Sequence, residues 1–340
     1  MLRTFLLPLA AAFAFGALAQ TTDTIPGKNA RKARVSLDRN EPYRALKRCT
    51  KGLAQKAPDL ACYALRAEAY NRIGDPRQAI ADARKGADHP PSRSSALLQL
   101  GIGYQAIGMR DSAEWAYRSI LETDLATEAR YRLALVERET GRSNEALSDL
   151  AQVTAAEPTN ARYLRERGVT QAMLGDSAAA RADLDKAIDL EPKNPVNWNT
   201  RGFQRYAAFG EHKRAIVDYN TAIKLDKNHG YAFNNRGWSR YKLGDTEGGL
   251  RDIKLAGRKN RSNAMVLRNL GVIAFEQGKT QLACEQWRTA LDMDFTARFG
   301  TEVEDLVKAH CGKSISAAPK DIQDRNAPKP VPPPRRGNAP

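Results

Sequence analysis

The four cysteines are the residues of this 340-residue chain best placed for covalent chemistry, and they fall into two pairs, Cys49 with Cys62 and Cys284 with Cys311. Separations of 13 and 27 residues, one pair near each end, suit two local disulfides formed in an oxidising compartment. A zinc site asks for two-residue cysteine spacings or accompanying histidines, and His89, His212, His229 and His310 supply neither. Paired carboxylates such as Asp183 and Asp185, or Glu302, Glu304 and Asp305, stand beside Lys and Arg in the pattern of solvated helix faces rather than of an acid–base dyad. Gly101-Ile102-Gly103-Tyr104-Gln105-Ala106 has the letters of a dinucleotide fingerprint. It lies inside a predicted helix, where its amides cannot reach a pyrophosphate. The sequence has no G-x-S-x-G elbow, phosphate loop, H-E-x-x-H or C-x-x-C. The chain therefore reads as non-enzymatic, with no metal and no cofactor expected.

The elements that carry these residues repeat along the chain. A small residue recurs at Ala33, Ala67, Gly101, Ala134, Gly168, Gly202, Gly237 and Gly271, in steps of 33 to 35 residues. A turn residue follows at Asn40, Gly74, Gly108, Gly141, Gly175, Gly210, Gly244 and Gly278. Beyond each turn comes a second small residue, Ala45 to Ala283, and then Cys49, Ala83, Tyr117, Leu150, Leu184, Tyr219, Ile253 or Trp287, mostly large and apolar. Small residues let two helices approach, and apolar residues at helical spacing form the stripe that each helix buries. One such unit cannot cover its own stripe, but a stack can. The step of 35 arises within its own unit, because Gly202 to Gly210 is one residue longer than the usual seven.

This pattern resembles the tetratricopeptide repeat family, most clearly at Trp198-Asn199-Thr200-Arg201-Gly202 and Phe233-Asn234-Asn235-Arg236-Gly237, with Ala215, Tyr219 and Ala222 following and closing prolines at Pro158 and Pro192. The resemblance covers residues 28–312. It departs at Asn40, which replaces the turn glycine, and at Glu137 and Ala274, where the family has tyrosine. The resemblance implies an all-α, right-handed solenoid of eight helix–turn–helix repeats. A capping helix over about Ala297 to Cys311, with Val303, Leu306 and Val307 inward, is expected to cover the last repeat. A Cys284–Cys311 bridge would pin that helix; Cys49 and Cys62 are less well levelled across their turn.

In the family, first helices line the concave side and clamp extended peptides or their terminal carboxylates. The corresponding positions here form a ladder of Arg165 and Glu166, Asn199 and Thr200, Asn234 and Asn235, and Arg268 and Asn269, with Phe203, Tyr206, Trp238 and Tyr241 nearby. Asn pairs with a peptide backbone in both directions, and Arg presents a planar fork to a carboxylate. A protein or extended peptide held on this ladder is the expected ligand, of unknown identity.

The ends read differently. Arg3, an apolar run from Phe5 to Leu18 and Ala17-Leu18-Ala19 make a cleavable signal peptide over residues 1–19, followed by a leader over 20–27. The run is too short to span a bilayer and no cysteine follows it for a lipid anchor, so no transmembrane span is expected in the mature chain. Residues 313–340, with Pro328-Lys329-Pro330-Val331-Pro332-Pro333-Pro334-Arg335-Arg336, read as a disordered or polyproline II basic tail. The formal charge is +15, most of it on residues 28–312. In a cytosolic protein this would point to nucleic acid. Export to a bacterial periplasm, or beyond it, removes that partner and leaves a protein adaptor, with electrostatic attachment to an anionic envelope polymer or lipid surface as the second reading.

Overall fold

A computed structural model describes residues 27–312, apart from the side chains of residues 205, 209, 297 and 298. The expected signal peptide, the leader up to residue 26 and the proline-rich tail lie outside the described residues. Among the described residues there is no strand. The chain divides into two units, the first ending at Ala156 and the second beginning at Glu157.

Unit one holds α1 (Lys28–Asp38), α2 (Pro42–Leu53), α3 (Ala61–Ile73), α4 (Pro76–Ala87), α5 (Arg93–Ala106), α6 (Arg110–Arg118), α7 (Ala126–Glu139) and α8 (Ser143–Ala156). Unit two holds α9 (Ala161–Met173), α10 (Ser177–Leu190), α11 (Pro195–Arg201), α12 (His212–Leu225), α13 (Gly230–Lys242), α14 (Thr246–Lys259), α15 (Ala264–Glu276), α16 (Thr280–Asp292), α17 (Phe295–Phe299) and α18 (Glu302–His310). From α1 to α16 they pack as consecutive pairs, odd with even.

Local chemistry sets the turn within each pair. Gly74 closes α3 with φ at 81°, a left-handed conformation that costs glycine little, and Asn40, φ 56°, is the one pair turn built without glycine. The next residue often caps the second helix: Asp75, Asp176 and Asp245 accept hydrogen bonds from the amides of Gln78, Ala179 and Gly248.

The small–large alternation read from the sequence becomes a set of plugged gaps between the two helices of a pair. Tyr117 fills the space beside Gly101, Leu184 that beside Gly168, Tyr219 that beside Gly202, Ile253 that beside Gly237 and Trp287 that beside Gly271. Tyr117, Tyr219 and Trp287 are wholly buried, and full burial of a Leu- or Phe-sized side chain contributes roughly 1.5–3 kcal/mol.

Two expectations change, and a third gains its structural form. The capping helix does not begin near Ala297: α17 ends at Phe299, Gly300 breaks the chain with φ at 88°, and α18 starts at Glu302. Its Val303 is buried against Trp287 and Phe295, with Leu306 and Val307 packed alongside. The extra residue between Gly202 and Gly210 is taken up as a π-helical turn over Gly202–Tyr206, followed by a 3-10 turn over Ala207–Phe209. Asp183 is no solvated face residue. It is buried and accepts two hydrogen bonds from Arg167, at 2.6 and 2.8 Å.

The Asp183 pairing recurs. Arg66 forks onto Asp82, Arg201 onto Asp218 and Arg236 onto Asp252, each joining the first helix of a pair to the second. Three of the four arginines also reach back to the preceding second helix, at Thr50, Asp185 and Asn220. An Arg just before the small residue and an Asp 16 or 17 residues later is a spacing visible in the sequence, and it was the signal for these staples.

Candidate functional site

The predicted ladder lies on the first helices of unit two, and most of it faces other protein groups. Asn234 and Asn269 are each 2% exposed. The Asn269 amide donates to Asn234 at 3.0 Å, Asn234 donates to Asn235 at 3.4 Å, and Asn235 donates to Asn199 at 3.1 Å. Arg268 donates to Asn269 at 3.0 Å, pairs with Glu302 of α18 and lies 4.7 Å over the Trp238 ring. Arg165 donates to Asn197, which itself donates to the Ala187 carbonyl. The result is a hydrogen-bonded relay from α11 through α13 and α15 to α18. Asn234 and Asn269 are corrected accordingly, from ligand-facing side chains to struts between first helices. Helical spacing gives the direction of a side chain but not its depth, and neighbouring first helices approach closely enough to enclose these amides.

Cys284 and Cys311 are joined, with Cα atoms 5.7 Å apart, linking α16 to the end of α18. Cys49 and Cys62 are not joined, and the expected bridge there is corrected: both are buried thiols in one apolar cluster with Ala45, Leu65 and Ala69. A hydrogen bond to Cys62, together with burial, pushes the Cys49 thiol far above the ordinary thiol range. Cys62 sits at the start of α3 with its sulfur against Gly52, so the pair contacts as thiols across the α2–α3 junction.

Two of the histidines make defined structural contacts. His229 caps α13 by accepting from the Ala232 amide, and burial lowers its pKa; His310 stacks on Phe275 with ring centres 4.3 Å apart. Among the described residues no group of three His, Cys, Asp or Glu could hold a metal ion, and no helix is long and apolar enough to cross a membrane.

An open concavity lies in unit one. The inner surfaces of α1, α3, α5 and α7 border a cavity of about 470 Å³ whose floor is Leu98, Ile102 and Leu125. Its walls are charged. Glu68 lies between Arg34 and Arg72, Arg132 pairs with Glu128 at 2.7 Å, and Asn71 donates to the Gln99 carbonyl. An adjoining cavity of about 310 Å³ shares Arg34, Ala64 and Ser95 with it and continues past Ala61, Leu65 and Pro91. An apolar floor between rows of both charge signs suits an extended segment that buries alternate side chains and carries charges of its own. The sequence reading missed these residues because the ladder was placed before the small residue. Arg34, Glu68 and Ile102 each lie one residue after it.

α7 also carries a buried acid. Glu137 is 2% exposed; one of its oxygens accepts from Arg118 at 3.0 Å and the other is buried without a partner. Burial first, then the nearby Asp149, push its pKa up to about 7.

Comparison with known proteins agrees with this architecture. Residues 131–195 match the model of the tetratricopeptide repeat family. A tetratricopeptide repeat protein from Parabacteroides merdae superposes with a TM-score of 0.61 at 17% identity, covering 74% of this chain and 99% of that one. The Cut9–Hcn1 hetero-tetramer of the APC/C gives a TM-score of 0.60 at 17% identity, over 84% of this chain and 55% of that one. The bovine Protein SGT1 homolog is 39% identical over 67 residues, so the match spans only 20% of this chain and 20% of that curated relative. Residues 131–195 thus belong to the tetratricopeptide repeat family, and the helical pairs before and after them follow the same plan.

Proposed function

We propose that this chain is a non-enzymatic adaptor of the bacterial cell envelope that holds an extended segment of a partner protein in the unit-one groove. One observation carries the reading: in unit one a cavity of about 470 Å³ lies open over Leu98, Ile102 and Leu125 between charged walls. Export is supported by the apolar run from Phe5 to Leu18 and by the bonded Cys284 and Cys311. Unit two, whose inner amides are engaged with one another, takes no part in holding the segment in this reading.

A photo-crosslinking residue placed at Ile102, in the full chain expressed in its own envelope, tests the proposal. A single defined adduct that disappears when Arg132→Glu is added, and persists with Asn199→Ala, is the expected result. Equal adducts in both variants would discard the groove.

A further inference from the structure

We propose that the outer face of the first helical pair binds the phosphate-bearing headgroups of an anionic membrane surface. A cavity of about 540 Å³ opens there between α1 and α2, lined by Lys28, Arg31, Lys32, Arg39, Arg44 and Arg48. Its one carboxylate, Glu41, is forked with Arg44 at 2.9 and 3.0 Å. The other five cations make no ion pair among the described residues, whereas the arginines of α3, α9, α11 and α13 are forked onto buried aspartates.

The repeat register makes the charge informative. Lys28, Arg31, Val35 and Arg39 occupy places five and two before, and two and six after, the small residue Ala33. In α3 those places are Cys62, Leu65, Ala69 and Ile73; in α15 they are Val266, Asn269, Ile273 and Gln277. Cys62, Leu65 and Ala69 are buried against the preceding pair. At α1 the packing face of a repeat has therefore been rewritten as a cationic one. Solubility alone would be met by mixed signs, as at α18, where Glu304 and Asp305 pair with Lys308. Six cations around one already paired carboxylate instead complement a dense array of phosphates, and the arginine forks fit phosphate oxygens two at a time.

Two further observations select a bilayer as the source of that phosphate. Tyr43, 72% exposed, follows Glu41 and Pro42 at the start of α2, and Val35, 48% exposed, lines the cavity, so amphipathic and apolar groups stand among the cations as they do at headgroup depth.

The test is flotation of the full chain with vesicles of phosphatidylcholine alone, and with vesicles in which phosphatidylglycerol replaces part of it. The apolar run is common to every arm, so the phosphatidylcholine signal serves as background. Wild type is expected to gain about tenfold in binding from phosphatidylglycerol, and to lose that gain in high salt. The triple variant R31E/R39E/R48E should lose the gain with its helicity unchanged, since all three side chains are exposed. K186E/K213E/K227E, an equal charge change on unit two, should keep it. Retention of the gain by the first variant, equal loss in the second, or binding of polyglutamate without any preference for phosphatidylglycerol would each overturn the proposal; the last outcome would assign the face to an acidic protein.

Discussion

The two units use the polar residues of their first helices in opposite ways. In unit two, Asn199, Asn235, Asn234 and Asn269 satisfy one another and close the inner face; in unit one, Arg34, Glu68, Arg72, Glu128 and Arg132 pair at the rim and leave an apolar floor open. Amides are short and uncharged, so close helices can enclose them when each finds a partner. Long charged side chains instead keep their heads at the solvated rim, above an apolar floor. The same backbone plan thus gives a self-satisfied face or a receptive one, depending on whether the inner positions carry Asn or Arg and Glu.

The contrast breaks most visibly at the buried forks. Arg236→Ala leaves Asp252, 5% exposed, facing only Arg240, and should lower unfolding free energy by about 3 kcal/mol in urea titration. The rim variant Arg34→Ala, at a 45% exposed side chain, should cost under about 1 kcal/mol. Next comes the amide relay. Asn269→Ala leaves the buried Asn234 Oδ1 without its donor and should cost about 2 kcal/mol, and a double-mutant cycle with Asn234→Ala should show the two losses to be strongly non-additive. If Asn71→Ala in unit one costs as much, the distinction between the faces fails.

The acid on α7 gives an effect of similar or slightly smaller size with a defined pH sign. The folded pKa of Glu137, about 7, exceeds its reference value of 4.5. The native state therefore holds a proton that the unfolded chain releases, and this contribution is full below pH 4.5 and lost as the pH rises through 7. Glu137→Gln should therefore stabilise by roughly 2 kcal/mol at pH 8, an order-of-magnitude figure, and by little at pH 4. In unit two the sign reverses. Burial lowers the pKa values of His212 and His229, so their contribution is present above the unfolded histidine pKa, near 6.5, and is lost as the pH falls through the folded values. His229→Asn, which keeps a capping side chain, should flatten that acid limb by the smallest margin of the set, read from melting temperatures between pH 7 and 5.

Much of this architecture was legible beforehand. Turn residues, small residues and their large fillers are local signals with a fixed period, and Gly101 with Tyr117 or Gly271 with Trp287 fell where the spacing required. The functional surface was less legible. Asn234 lies on a first helix, but its burial depends on how its neighbours pack around it, a quantity no single repeat encodes. The start of α18 departs from the helical periodicity because Gly300, in a backbone conformation open mainly to glycine, breaks the chain just before it. Cys49 and Cys62 came together as expected for position, but as neighbouring thiols.

The π turn at Gly202 shows what the repeats hold constant. Arg201 and Asp218 are 17 residues apart where the equivalent pairs are 16, yet the fork between them closes at 2.8 and 2.7 Å like the others. The surplus residue is dissipated inside Gly202–Tyr206 before the chain reaches its next turn glycine, Gly210. The π turn acts as a mechanical slip joint: an error in chain length is absorbed within one unit, and α13 and α14 downstream regain phase, with Arg236 forked onto Asp252 at the usual interval. Inheritance by insertion is thereby tolerated at this point in the molecule, because alignment is enforced by the buried forks and plugged gaps and not by the count of residues between them.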